Sequence, residues 1–250
     1  MSITTNFYLF FNLFAFIIKL NIHISKPIIF NSFCTILYTY FIFILTSSQL
    51  LYIMDLEVIK MCGRYLIKPN SKMHKLFSSH YKQLNISNEI TPTQLVPIII
   101  SQNQRLKGTL MYWGIEQRSK LIINAKAETI NEKSTFKQLI KSHRCIIPSN
   151  VFYEWDETKN RYRFNTEEET TYMAGIYTFI NHQPHFVIIT TKANPSMSSI
   201  HHRMPLILTR TQIEDWLNDE KIAQQLLHKI PPLLTKTLDE TKSYTQLNLL

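Results

Sequence analysis

The sequence predicts an α+β fold on three observations. Short apolar runs rich in β-branched and aromatic residues recur between residues 96 and 208. Helical patterns are few and short, and the strand–helix–strand alternation of a parallel α/β sheet is missing. The chain of 250 residues is 45% apolar, which is ample for one buried core.

The elements follow in order. Asn70 to Leu84 (NSKMHKLFSSHYKQL) starts with a polar cap and carries Met73, Leu76, Phe77 and Leu84 at roughly helical spacing, so it is predicted as a surface helix. Strands are predicted at Val96–Ile100, Leu110–Trp113, Leu121–Ile123, Cys145–Ile147, Tyr172–Phe179, Phe186–Thr191 and Leu206–Leu208, each short and rich in β-forming residues. Ser134–Ser142 and Thr211–Leu217 begin with hydroxyl side chains suited to a helix start, and an amphipathic run continues to Leu227. No internal repeat or low-complexity linker divides residues 61–250, which are expected to form one domain.

Residues 1–60 are of another kind. Phe7–Ile18 is almost wholly apolar, and Pro27–Met54 contains no charged side chain and is long enough to span a bilayer. Two readings follow. In one, a two-helix anchor places Lys19 and Lys26 between its spans. In the other, which we adopt as the expectation, translation starts at Met61 and the upstream segment is not part of the mature chain. A secretory signal fits poorly, because the basic start and small-residue cleavage site are missing.

Charge and cysteine usage narrow the function. Lys and Arg total 27 against 18 Asp and Glu, a formal charge of +9 that favours an anionic partner such as nucleic acid or a membrane surface. The three cysteines, Cys34, Cys62 and Cys145, show no C-x-x-C spacing, so neither a disulfide scaffold nor a zinc site is indicated and no metal or cofactor is expected. A cytoplasmic setting fits this usage.

Four stretches carry groups suited to chemistry: MCGRY at 61–65, INAKAET at 123–129, CIIPSNVFYEW at 145–155 and SIHHRMPLIL at 199–208. Singly each has a structural explanation. Glu154 reads as a strand residue facing solvent, His201 as a histidine at the core edge, Asn124 as a turn residue. Together they supply a thiol, an amide, a carboxylate and an imidazole. A cysteine–histidine–asparagine set suits a papain-like peptidase, in which the imidazole activates the thiol. The position of Cys62 directly after Met61, with Gly63 next, also suits methionine removal, which leaves a free α-amine beside the thiol. His202 is expected to point away from His201, as neighbours in an extended segment do.

With these motifs in order, residues 61–250 resemble the SOS response-associated peptidase (SRAP) family, also called abasic site processing proteins. The matching patterns are M-C-G-R-F/Y, N-A-K/R-x-E-T, R-C-x-x-P followed by F-x-E-W, and I-H-x-R-x-P. The resemblance implies a single SRAP-like domain with a mixed or antiparallel, barrel-like β core and peripheral helices. It implies a protein that binds abasic sites in single-stranded DNA and captures them covalently, with peptidase and lyase-like chemistry also attributed to the family; a monomer is expected. Carried over residue by residue, the catalytic set is Cys62, Asn124, Glu154 and His201, and the DNA-binding set is Arg64, Lys126, Arg203 and Trp113. Nucleoid association would follow from DNA binding.

The chain departs from the family pattern in three places. IEQRSKLI at 115–122 stands where a Pro-x-Trp wedge is expected, Glu89 stands near a usual asparagine, and Val151 replaces a glycine. Two other functions are weighed against DNA capture: a cysteine peptidase that cuts its own Met61–Cys62 bond to release a hydrophobic leader, and a membrane-tethered DNA-binding module.

Overall fold

The computed structural model describes residues 63–68, 75–77, 89–118 and 120–240. Residues 1–60, Cys62 and most of the expected helix at Asn70–Leu84 lie outside the described residues. Among the described residues no helix is long and apolar enough to cross a membrane.

The α+β expectation holds, and its β part closes on itself. The barrel is built from β2 (Leu95–Gln102), β3 (Arg105–Trp113), β7 (Arg144–Ser149), β10 (Thr171–Ile180) and β11 (Gln183–Lys192). Antiparallel pairing runs β3-β2-β7-β10-β11, and β11 returns to β3 through the parallel pairs His185↔Tyr112 and Phe186↔Trp113. A ring of five strands leaves room only for side chains inside, so the interior is a packed core. Ile98, Met111, Cys145, Ile147, Met173 and Val187 are all buried. Gly175 on β10 reflects how narrow that space is. A Cβ there would lie 2.5 Å from Ile147 Cδ1, 2.8 Å from the Val187 carbonyl oxygen and 3.0 Å from Cys145 Sγ.

Two tight hairpins set the register. Asn103 and Gln104 (φ 52° and 58°) join β2 to β3, and Asn181 and His182 (φ 49° and 63°) join β10 to β11. Paired positive φ values in a two-residue loop match the right-handed twist of the flanking strands. Asn tolerates this conformation, whereas Gln104 and His182 are held in it by the pairing on either side.

A second, antiparallel sheet has the order β1-β8-β9-β14, from β1 (Tyr65–Leu66), β8 (Val151–Trp155), β9 (Arg161–Asn165) and β14 (Thr235–Leu238). The chain passes from the barrel to this sheet at Asn150. Its N–H donates to the Leu66 carbonyl at 2.8 Å, its Nδ2 donates to the Glu169 carbonyl at 2.7 Å, and its Oδ1 accepts from Lys68 N–H. A small hairpin, β4 (Ile115–Gln117) with β5 (Lys120–Ile122), and three short strands, β6 (Asn124–Lys126), β12 (Arg203–Pro205) and β13 (Ile207–Leu208), complete the β structure.

The helices are peripheral. The expected helix at Ser134–Ser142 is two short ones, α1 (Ser134–Lys137) and α2 (Leu139–Ser142), and α3 (Ile213–Asn218) and α4 (Glu220–Leu226) cover the barrel later in the chain. A capping box at Thr209 and Gln212 opens the turn before α3, and the Asp219 side chain caps α4 by accepting from Ile222 N–H at 3.0 Å. Buried Arg144 ties these helices to β7. Its guanidinium donates to the Ile140, Lys141, Trp216 and Leu217 carbonyls, occupying acceptors that the ends of α2 and α3 leave open.

Overpacking at Gly175 is expected to be costly. Gly175→Val should lower unfolding free energy by about 1–3 kcal/mol or more, with Gly175→Ala less severe. Urea unfolding followed by circular dichroism would show this as a lower midpoint with an unchanged slope.

Candidate functional site

The functional side chains fall in two groups, one on each sheet. The first hangs on β11. Strand β6 lies parallel to it, with Asn124 opposite Ile188, Ala125 opposite Ile189 and Lys126 opposite Thr190. Strand β12 pairs antiparallel, with Arg203 opposite Lys192. Asn124 is half-buried and Lys126 exposed.

His201 stands at the end of the loop between β11 and β12. The loop is held by Asn194, whose Nδ2 donates to the Pro231 and Pro232 carbonyls at 3.0 and 2.9 Å and whose Oδ1 accepts from Ser196 N–H at 3.0 Å. The His201 N–H donates to the Met197 carbonyl at 3.1 Å. In the neutral ring Nδ1 accepts from Arg203 N–H at 3.0 Å, which assigns the proton to Nε2. On protonation the same nitrogen can instead donate to the Arg203 carbonyl at 3.2 Å. Nε2 is buried and has no hydrogen-bond partner among the described residues. Burial is the main cause of a pKa below the ordinary histidine value. The Arg203 carbonyl opposes that shift, while the charges of His202 and Arg203 add to it.

His202 does not point away. Its ring stacks on His201 with centroids 4.4 Å apart and planes 27° from parallel. The pair precedes β12 in irregular backbone, so strand alternation does not apply to it. Among the described residues no group of three or more His, Cys, Asp or Glu side chains is placed to hold a metal ion.

Arg203 is a fork clasped by Glu128. Nη1 and Nη2 donate to the two carboxylate oxygens at 2.6 and 2.8 Å, and Nη2 also donates to the Thr190 carbonyl at 2.7 Å. The Arg203 bond is the main reason that the Glu128 carboxyl titrates below its usual range, against the opposing effect of burial. Reading the sequence for reactive groups passed over Glu128, although it lies four residues beyond Asn124 in the same motif.

The second group lies on the other sheet. Glu154 on β8 is 2% exposed, and Trp155 N–H donates to its Oε1 at 3.3 Å. The structural explanation of Glu154 as a strand residue facing solvent therefore does not hold. Strand β1 runs beside β8, with Tyr65 opposite Phe152, and Tyr153 N–H donates to the Arg64 carbonyl at 3.0 Å. The stretch Gly63–Arg64 thus leads along the part of β8 that holds Glu154. Cys62 itself lies outside the described residues. Arg64 Nη1 donates to Glu89 Oε2 at 2.8 Å, and Arg161, laid over the Tyr153 ring at 4.4 Å, joins Glu89 to Asp239.

Trp113 is placed differently from the expectation that it belongs to a DNA-binding set. It is fully buried, its Nε1 donates to the Ile123 carbonyl at 3.2 Å, and it packs against Phe186 and Tyr65 at centroid distances of 6.2 and 5.3 Å. Stacking a base requires an exposed ring face. Trp113 instead packs β1 and β3 into the core, through its ring contacts with Tyr65 and Phe186.

Motif order and barrel together point to one class of protein. The family described as SOS response associated peptidase (SRAP) matches residues 61–246, and the chain belongs to this family. Among its relatives, "Abasic site processing protein YoaM" of Bacillus subtilis is 30% identical over 212 residues, covering 74% of this chain and 90% of its own. "Abasic site processing protein YoqW" of the same species is 31% identical over 198 residues, covering 68% and 86%. "Abasic site processing protein HMCES" of Gallus gallus is 30% identical over 125 residues, 38% of this chain and 37% of its own. A crystal structure of a Bacteroides thetaiotaomicron protein superposes with a TM-score of 0.61 at 25% identity, covering 72% of this chain and 93% of that one. A Bordetella bronchiseptica protein shares the fold, with a TM-score of 0.59 at 20% identity, covering 72% and 100%.

The depressed His201 pKa sets a pH dependence. Above the unfolded value of about 6.5 both states hold a neutral ring; as pH falls below it the unfolded chain takes up the proton first, so stability declines until the folded ring also titrates. Between pH 7 and 5 the wild-type chain should lose more unfolding free energy than His201→Gln, as measured by urea titrations at each pH. Equal losses would contradict this.

Proposed function

We propose that residues 61–250 act as a single domain that captures abasic sites in single-stranded DNA, joining the lesion to Cys62 after removal of Met61. The reading is supported by family membership and by the printed names of the relatives. The observation that carries it is the hydrogen bond from Tyr153 N–H to the Arg64 carbonyl, which aligns the chain leaving Gly63 with the strand that holds buried Glu154.

An abasic deoxyribose is in equilibrium with an open-chain aldehyde. A free α-amine with a pKa of about 7.7–8.0 is partly neutral at cellular pH and attacks the aldehyde carbon. Loss of water from the carbinolamine gives an imine. The adjacent thiol then adds across C=N: the sulfur bonds to carbon, its proton passes to nitrogen, and a five-membered thiazolidine closes. Because both groups belong to one residue, the second bond needs no diffusional search. A cysteine acylated at its nitrogen can form only a reversible hemithioacetal.

In this scheme Glu154 accepts the proton of the α-ammonium and returns it to the departing hydroxyl. The His201 Nε2–H serves as donor to the sugar oxygen when the ring opens. Asn124 orients the substrate or the amine, while Arg64, Lys126 and Arg203 contact phosphates. The protein acts as a monomer on DNA in the cytoplasm, and residues 1–60 have no part in the chemistry.

The test compares three polypeptides with a single-stranded oligonucleotide bearing one abasic site. The one beginning at Cys62 should gain the mass of the oligonucleotide less one water and hold it through boiling. Neither Cys62→Ala nor a chain retaining residues 1–61 should do so, and Glu154→Gln should slow the reaction by about 10²- to 10⁴-fold. An equally stable adduct on the chain that keeps residues 1–61 would refute the mechanism and favour a cysteine nucleophile that needs no amine.

A further inference from the structure

Glu89, at the place where the family pattern usually has asparagine, lies between two arginines of unlike exposure. The bridge between Tyr65 and Ile90, with N–O distances of 3.1 and 2.7 Å, lays the two segments antiparallel. Tyr65 and Ile90 are buried at 0% and 5% exposure, so alternation turns Arg64 and Glu89 to the other face. There Arg64 Nη1 donates to Glu89 Oε2 at 2.8 Å, while Arg161 Nη1 donates to Glu89 Oε1 and Oε2 at 2.9 and 3.1 Å. The Arg161 side chain is 5% exposed and also pairs with Asp239, which is 3% exposed; the Arg64 side chain is 35% exposed.

This difference decides which bond can be exchanged. Arg161 is held by Glu89, by Asp239 and against the Tyr153 ring, and it stays in place. Arg64 can turn from Glu89 to an incoming anion at the surface without leaving the Glu89 carboxylate unpaired, because Arg161 retains it. The Glu89 carboxylate lies against Arg64 at rest and so reduces the positive field that Arg64 adds to the face it occupies.

We propose that Glu89 is an affinity-setting residue for nucleic acid: its carboxylate occupies Arg64 as an internal stand-in for a phosphate, and a DNA backbone must displace it. This rests on the reading that the face binds single-stranded DNA. Glu89 weakens that binding in two ways. It competes for the guanidinium, and it remains as a negative charge beside the phosphate. The exchange carboxylate-for-phosphate releases fewer counterions than pairing a bare arginine, so the salt dependence is shallower than the number of basic residues implies.

The test is equilibrium binding of the full chain to an intact oligothymidylate, which has no aldehyde and forms no crosslink, followed by fluorescence anisotropy across a salt series. Two neutral variants are compared with wild type: Glu89→Gln, which keeps the side chain's size, and Glu89→Asn, the residue type usual in the family. Each should bind about 2- to 5-fold more tightly at low salt, the scale of one partly exposed charge pair, and steepen the dependence of log K on log salt by about 0.7. Adding Arg64→Gln to either variant should return affinity and slope to wild-type values. Folded variants that bind as wild type does, or more weakly, would overturn the role of Glu89 and leave the single-strand reading standing. No binding by wild type and variants alike would overturn both.

Discussion

Strand β11 is the constraint on which the arrangement depends. It pairs with four other strands, and the register shows how ten residues accommodate them. One edge bonds β10 over Gln183–Ile188 and then β12 over Thr190–Lys192. The opposite edge bonds β3 at His185–Phe186 and then β6 at Ile188–Thr190. The first half of β11 therefore closes the barrel, and the second half carries the amide of Asn124 and the approach to His201 and Arg203. Closure and presentation share one element, and the continuous burial of Phe186–Thr190 follows from packing on both faces.

The charged residues are organised by the same economy of elements. A strongly basic chain would leave isolated guanidiniums if its arginines simply lined a groove, yet Arg203 is forked onto Glu128 and Arg64 and Arg161 share Glu89. Forked carboxylate pairs hold long side chains in one rotamer, which orients the remaining donors. The field at any one surface is thus set by where the cations stand relative to their carboxylate partners rather than by the total of 27 Lys and Arg, because several cations are neutralised where they stand.

Much of the barrel was legible because its strands are β-branched runs of the right length: β2, β3, β7, β10 and β11 overlap the expected strands at 96–100, 110–113, 145–147, 172–179 and 186–191. Strands β9 and β14 were not. RYRFN carries charged residues between aromatics, and TKTL is exposed throughout, so neither offers the apolar signal on which such a reading depends. They form because β8 supplies an edge for β9, and β9 in turn supplies one for β14. The same limit applies to the site. Reactive residue types can be found by motif, but Trp113 in the core, the His201–His202 stack and the carboxylate partners of the arginines are set by tertiary contacts that no local pattern encodes.

Glu154 and His201 belong to different sheets, so any joint action depends on how rigidly the sheets are linked. The link is covalent and short: β7 ends at Ser149, β8 begins at Val151, and only Asn150 intervenes. A single flexible residue there would let the sheets turn against each other. Asn150 instead has its N–H, Nδ2 and Oδ1 all engaged, with partners before β1 ends, after it, and in the segment leading to β10. Two side-chain bonds and one backbone bond of this residue thereby hold the corner from three directions. Placement of the buried carboxylate relative to the barrel is consequently fixed at this corner as well as by the packing of Tyr65 on Trp113, and the asparagine within the CIIPSNVFYEW stretch is architectural even though it sits among residues that invite a chemical reading.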